Sequence, residues 1–283
     1  MNIVDYKSES ASLEFATSLR ETGFAVLKNF PIDLKLIESC YEAWGSFFNE
    51  KEEYKNKFEF TSKTHNGFVS RDLSETAKGM KKKDLKEFYH YYISDKCPEN
   101  IRPVTDELFK QMLVCATELL NWVQHHCPAE VQEKFSMPLS DMIQNSPRNL
   151  LRFINYPPLD GSEDVDAIRA AAHGDINLLT VLPSGSEPGL QVLKKDGQWM
   201  DVPYNKDYLV VNIGDMLEEC SGGYYKSTMH RVVNPEGADM TKARMSMPMF
   251  LHPRDDVRLS DRYLASEYCQ ERFKELGLSD VNK

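Results

Sequence analysis

The chain has 283 residues, a formal net charge of −10, 41% hydrophobic and 28% charged residues. That length can bury a core without disulfides, and the composition sets aside disordered, fibrous and membrane-embedded classes. The acidic balance argues against nucleic acid as the main partner, because phosphate binding depends on clustered Lys and Arg.

In chain order, residues 8–22 carry apolar positions at helical spacing, and Gly23 stops them before a short strand, Phe24 to Leu27, closed by Pro31. Asp33 is placed to cap a second helix running to about Phe48. The basic run Lys81-Lys82-Lys83 sits beside Asp84, Lys86 and Glu87, so it reads as a solvated face. Residues 106–126, with Phe109, Met112, Leu113, Ala116, Leu119, Leu120 and Val123 in register, form the longest amphipathic helix, ended by Pro128.

From about Asn149 the texture changes. Leu150 to Tyr156 is strand-like and stops at Pro157-Pro158, and short apolar runs then alternate with turn residues. Gly189 to Leu193 and Gln198 to Val202 flank Asp196-Gly197, the signature of a hairpin. Ile176 to Leu182, Tyr208 to Asn212, Thr228 to Val233 and Arg244 to Leu251 supply further strands, at the spacing of a sandwich or barrel. A last helix covers Asp261 to Leu276. The reading is one α+β unit, helix-rich over 1–148 and a β-barrel or jelly roll over 149–283.

The cysteines Cys40, Cys97, Cys115, Cys127, Cys220 and Cys269 are scattered, with no CxxC pair, so reduced thiols and a cytoplasmic setting are expected. MNIVDYKSES lacks a basic leader followed by an apolar core, and no run approaches ~18 apolar residues, so no membrane association is expected.

Chemistry gathers at Ala172-His173-Gly174-Asp175. On a strand, His173 and Asp175 would share a face, roughly 6.5 Å apart, and could share one ion. His230, on a later strand, is the best third ligand. Two imidazoles and one carboxylate on one side of a metal leave the other side open, the arrangement of non-haem Fe(II) oxygenases, although the same donors suit catalytic zinc. Arg244-Met245-Ser246 is a second pair at alternate positions of one strand, with Met245, Met247 and Met249 facing away. A guanidinium fork can hold a carboxylate in two parallel bonds and the hydroxyl can add a third, which would anchor a dicarboxylate whose other end chelates the metal.

These motifs, with Gly189-Leu190-Gln191-Val192, Val211-Asn212-Ile213-Gly214-Asp215-Met216 and Lys226-Ser227-Thr228-Met229-His230-Arg231-Val232, resemble the isopenicillin N synthase-like family of Fe(II)- and 2-oxoglutarate-dependent oxygenases. Gly23-Phe24-Ala25-Val26 and Asp84-Leu85-Lys86-Glu87-Phe88 are similar to that family's N-terminal region, so the likeness spans nearly the whole chain. The resemblance implies a double-stranded β-helix core with iron on His173, Asp175 and His230. It implies that 2-oxoglutarate chelates this iron while Arg244 and Ser246 take its far carboxylate, with Tyr156 reaching the co-substrate too. The loop from His230 to Arg244, through Pro235-Glu236-Gly237, is longer than the family pattern.

The reaction this implies is oxidation of a small organic molecule by O2, by hydroxylation, desaturation or cyclisation, with release of succinate and CO2. Its rivals are a 2-oxoglutarate-independent oxidase of the same family, a hydrolytic zinc enzyme, and a non-catalytic barrel binding a small acid. Zinc hydrolysis would need a base beside the metal-bound water, and no motif near the triad offers one. Asn66, Phe68, Arg71, Tyr89, Tyr91 and Phe250 are candidate substrate-pocket residues, with Arg71 either meeting a substrate carboxylate or lying on the surface as a solvated arginine. The chain is expected to act as a monomer.

Overall fold

The computed structural model describes residues 1–61, 65–71, 86–93, 96–158, 169–234 and 242–275. The Lys81-Lys82-Lys83 run, Asp84-Leu85, the Pro235-Glu236-Gly237 loop and Leu276 lie outside the described residues. The N-terminal half supplies β1 (Ile3–Asp5), α1 (Ala11–Thr22), β2 (Phe24–Lys28), α2 (Leu34–Phe48), α3 (Glu52–Lys55), β3 (Gly67–Val69), β4 (Glu87–Tyr91), α4 (Arg102–His125), α5 (Ala129–Gln132) and α6 (Leu139–Ile143). The remainder supplies β5 (Leu150–Tyr156), β6 (Ala170–His173), β7 (Leu179–Pro183), β8 (Leu190–Leu193), β9 (Trp199–Asp201), β10 (Leu209–Ile213), α7 (Asp215–Cys220), β11 (His230–Val232), β12 (Arg244–Ser246), β13 (Met249–Leu251) and α8 (Ala265–Glu275).

Local chemistry sets the element ends. Gly23 closes α1 with φ 75° and donates its N–H to the Leu19 carbonyl at 2.8 Å. A Cβ there would lie 2.1 Å from Thr228 Oγ1, so this position needs glycine both for its left-handed backbone and for its close approach to the segment before β11. The Asp33 carboxylate accepts from the Lys35 N–H at 2.9 Å, which is the expected cap of α2. Pro103 occupies the first turn of α4, and the helix starts at Arg102, before the apolar register at 106 announces it.

The strands form two sheets. The larger runs β1-β2-β10-β7-β13-β5-β4-β3, with β12 also paired to β5, and the smaller runs β6-β11-β8-β9. Their inner faces meet in two apolar clusters: Phe88, Ile154 and Tyr156 against Ala170 and Val232, and Phe24, Val26 and Val210 against Val192 and Val202. This is the jelly-roll, double-stranded β-helix core. The outer face of the larger sheet carries Leu151, Phe153, Val181, Val211 and Leu251 against residues of α1, α2, α4 and α6, including Phe15, Trp44, Leu119 and Met142.

Several expected bounds change. The strand read over Arg244 to Leu251 is two short strands, because Met247-Pro248 interrupts it; Pro248 has no N–H to give the ladder, and its carbonyl instead accepts from Arg152 N at 2.9 Å. The strand read over Ile176 to Leu182 begins only at Leu179, after a bend, and α8 begins at Ala265 rather than Asp261. β1, β3 and β4 are strands that periodicity does not announce. In β4, Glu87 is buried, which an alternating pattern would not allow, but Lys55 Nζ at 2.8 Å and Asn155 Nδ2 at 2.9 Å partner its carboxylate.

Trp44 joins the helical layer to the larger sheet: it is fully buried, stacks on Phe153 with centroids 4.0 Å apart and donates its indole N–H to Thr105 Oγ1 at 3.0 Å. Replacing Trp44 with Ala is expected to cost about 3–5 kcal/mol of unfolding free energy. Urea unfolding followed by far-UV circular dichroism checks it, and a loss below about 1 kcal/mol would show that the layers do not depend on this contact.

Candidate active site

Asp175 does not lie on the strand with His173, contrary to the i, i+2 strand reading. β6 ends at His173, Gly174 follows, and Asp175 opens the bend that leads to β7. The bend is stitched to the start of α7: Asp215 N donates to Asp175 O at 2.7 Å, Met216 N to Asn177 O at 3.0 Å and Gly214 N to Leu178 O at 3.0 Å. A Cβ on Gly214 would fall 2.1 Å from Asn177 Oδ1 and 2.2 Å from the Asn177 carbonyl oxygen, so glycine is required where the two segments touch.

The bend brings the Asp175 carboxylate to the imidazoles. His173 and His230 are cross-strand partners of β6 and β11, with ring centroids 4.4 Å apart. Nδ1 of His173 faces the Ala171 carbonyl at 2.8 Å and Nδ1 of His230 faces the Thr228 carbonyl at 3.2 Å, so each carbonyl takes the Nδ1 proton and leaves the Nε2 lone pair available. Asp175 Oδ1 lies 3.9 Å from His173 Nε2 and 3.7 Å from His230 Nε2.

One potential ligand atom from each residue falls within 4.8 Å of the others. Ligand bonds of about 2.1 Å put donors about 3 Å apart, so side-chain shifts of about 1 Å close the set around one ion. The donor types, two neutral imidazoles and one carboxylate, fit Fe(II).

The second carboxylate oxygen is occupied: Asp175 Oδ2 accepts from Thr180 Oγ1 and, at 2.8 Å, from Asn212 Nδ2. Asn177 Nδ2 in turn donates to Thr180 Oγ1 at 2.9 Å. Burial would raise the Asp175 pKa, but the flanking imidazoles and these two hydrogen bonds outweigh it and hold the carboxyl below its ordinary range. The His173 side chain is 46% exposed; desolvation first, and the His230 ring second, push its pKa down to about 4. Both imidazoles of such a pair must be neutral to bind a metal.

The expected co-substrate residues also come together. β12 pairs with β5 so that Arg244 lies opposite Tyr156 and Ser246 opposite Ile154, and Arg244, Ser246 and Tyr156 are all buried. The Arg244 guanidinium carbon stands 5.3 Å from the Tyr156 ring centroid, and its Nε donates to the Glu187 carbonyl at 3.1 Å. Gly185 makes room, since a Cβ there would come within 3.0 Å of Arg244 Nη2. Sequence reasoning missed Arg169, which directly precedes β6, is 3% exposed and stands 6.0 Å from the same Tyr156 ring. The signal was available: an arginine introducing the otherwise apolar Ala170-Ala171-Ala172 that leads to His173.

Three of the expected pocket residues point the wrong way. Phe68, Tyr89 and Tyr91 lie on the outer, helix-covered face, where Tyr89 meets Trp44 at 4.7 Å, Phe68 meets Phe47 at 5.9 Å and Tyr91 meets Phe109 at 6.2 Å. Strand side chains alternate, so their neighbours Phe88 and His90 take the inner face instead. Phe250, also expected, lies opposite Thr180, and the Arg152 guanidinium carbon stands 5.2 Å from its ring and 4.8 Å from that of Phe88. Asn66 is buried with its Nδ2 donating to the Lys96 carbonyl at 2.8 Å, and Arg71 is exposed.

A jelly roll with two imidazoles, one carboxylate and a buried arginine at one end defines a non-haem metal oxygenase. Comparison with known proteins agrees. Residues 144–253 match the model of the 2OG-Fe(II) oxygenase superfamily, and residues 3–111 match that of the non-haem dioxygenase in morphine synthesis N-terminal region. A Shewanella oneidensis chain of known crystal structure, described as an oxygenase, is 48% identical, with 98% of this chain and 99% of that one covered and a TM-score of 0.90. A Caulobacter crescentus structure, described as of the 2OG-Fe(II) oxygenase family, is 28% identical over 98% of this chain and 99% of its own, with a TM-score of 0.82. Flavonol synthase 1 of Crocosmia x crocosmiiflora is 28% identical over 95% of this chain and 82% of its own length.

The chain therefore belongs to the 2OG-Fe(II) oxygenase superfamily, and it is an Fe(II)- and 2-oxoglutarate-dependent dioxygenase. Among the described residues, no helix is long and apolar enough to cross a membrane.

The grip on Asp175 Oδ2 predicts a pH effect. Removing both donors, with Thr180→Val and Asn212→Leu, takes away bonds that favour the ionised carboxyl and so raises its pKa. Metal binding requires that ionised form, so the acid limb of Fe(II) affinity should move to higher pH, with affinity near neutrality down about 10–100-fold. Anaerobic Fe(II) titrations at several pH values measure it, and an unmoved acid limb would show that Oδ2 is not what orients the carboxylate.

Proposed function

We propose that His173 Nε2, Asp175 Oδ1 and His230 Nε2 hold Fe(II) on one face, and that Arg244, with Ser246 and Tyr156, takes the far carboxylate of 2-oxoglutarate. The observation that supports this best is the convergence of three metal donors at one point of a barrel whose inner wall also carries a buried arginine. Among the described residues, no carboxylate pairs with that arginine. The iron, when bound, supplies the coupling of O2 reduction to oxidative decarboxylation of the co-substrate and to C–H oxidation.

The protein's own residues do the rest. Thr180 and Asn212 hold Asp175 so that one oxygen stays aimed at the metal. The backbone carbonyls of Ala171 and Thr228 hold both imidazoles in the tautomer that presents Nε2. Apolar side chains on both inner faces exclude water around the reacting atoms. No side chain has to act as a general base.

The primary substrate is a small organic molecule lying along the inner face of the larger sheet, next to Phe88, Phe250 and the Arg152 guanidinium between their rings. That wall suits a planar or aromatic body. The six cysteines are all unpaired and buried, which supports a reducing, cytoplasmic setting, and we take the working form to be the monomer.

Purified protein with Fe(II), O2 and 2-oxoglutarate should release succinate, with more released in the presence of a matching substrate. His173→Ala should abolish that release. Arg244→Ala should raise the 2-oxoglutarate requirement by roughly 2–5 kcal/mol, the range for breaking a buried charge pair. An unchanged requirement would place the carboxylate anchor elsewhere.

A further inference from the structure

Arg169 is a buried cation that the proposed roles leave unused. It stands at the entrance to β6, 3% exposed, with its Nε donating to Asn234 Oδ1 at 2.6 Å. Its guanidinium carbon is 6.0 Å from the Tyr156 ring centroid, and that of Arg244 is 5.3 Å from the same ring. Two guanidinium groups thus share one aromatic side chain in a region closed to solvent.

Their protein partners are neutral. Arg169 has a side-chain amide oxygen, and Arg244 has the carbonyl oxygens of Glu187 at 3.1 Å and Pro188 at 3.4 Å. The field of the Glu187 carboxylate reaches Arg169, but among the described residues no carboxylate forms an ion pair with either arginine. Burial and, after it, the charge of Arg244 push the Arg169 pKa down. Burying one cation without a counter-ion is costly, and a second like charge beside it adds repulsion. Such a pair is stabilised when an anion enters.

We propose that Arg169 is a second guanidinium of the co-substrate pocket, adding its charge to that of Arg244 so that the far carboxylate of 2-oxoglutarate is held by two cations. This rests on the co-substrate reading above. It extends that reading from one arginine to two, and makes discrimination against monocarboxylic 2-oxo acids depend on both.

The test compares 2-oxoglutarate with 2-oxovalerate, which has the same chelating end and five-carbon chain but no far carboxylate. Each is titrated anaerobically into Fe(II)-loaded protein, following the visible charge-transfer band of the chelate. Arg169→Gln should weaken 2-oxoglutarate about 10-fold or more while changing 2-oxovalerate by less than about 2-fold. Arg169→Lys, which keeps the charge, should stay within about 3-fold of the wild type for 2-oxoglutarate and guards against a Gln variant that fails to fold.

Equal weakening of both acids would overturn the inference, showing that Arg169 only supports local structure; so would no change in either. If the wild-type protein gave no band with 2-oxoglutarate, the co-substrate reading itself would fail, an outcome separate from a wild-type band that Arg169→Gln leaves intact.

Discussion

The site depends on the constraint placed on one carboxylate. Burial favours the protonated form of Asp175, but the two imidazoles beside one oxygen and the Asn212 and Thr180 donors on the other hold its carboxyl below the ordinary range. The donors come from neighbouring strands of the larger sheet, where Thr180 of β7 lies opposite Asn212 of β10. The two histidines come from the smaller sheet. Asp175 sits in the bend between them, so sheet packing, ligand geometry and the protonation state of the site are set by the same contacts.

The rest of the architecture holds that bend in place. Gly214 lets the start of α7 run against it with no Cβ in the way, and three backbone hydrogen bonds join the two segments. Gly23 performs a similar service for β11, letting the end of α1 approach Thr228, whose carbonyl orients the His230 ring. On the far side of the larger sheet the aromatic layer around Trp44 and Phe153 fixes the strands from behind. On the inner side of the barrel, two buried guanidiniums stand near the ring of Tyr156 and create a need for negative charge that the described residues do not meet.

Much of this is legible in the sequence, and the failures have physical causes. The strong periodicity of α4, the Asp33 cap, the Asp196-Gly197 hairpin and the Arg244-x-Ser246 face all survive, because each follows from local backbone chemistry. Tertiary stitching to α7, not the strand alternation their spacing suggests, brings His173 and Asp175 together. A period of two sends Phe68, Tyr89 and Tyr91 to the helices and their neighbours inward; from sequence, with no register fixed, large aromatics read equally well on either face. β4 does not show in the sequence pattern because its buried Glu87 breaks the apolar run, and only the partners Lys55 and Asn155, distant in sequence, explain that burial.

The claim that Asp175 is pinned through Oδ2 and offers Oδ1 to the iron is most directly tested by anomalous diffraction at the iron edge, on crystals grown anaerobically with Fe(II) and 2-oxoglutarate. The account predicts one iron peak, at about 2.0–2.2 Å from His173 Nε2, His230 Nε2 and Asp175 Oδ1, with Oδ2 still held by Asn212 and Thr180. A metal bound through Oδ2, or a peak away from these three side chains, would contradict it.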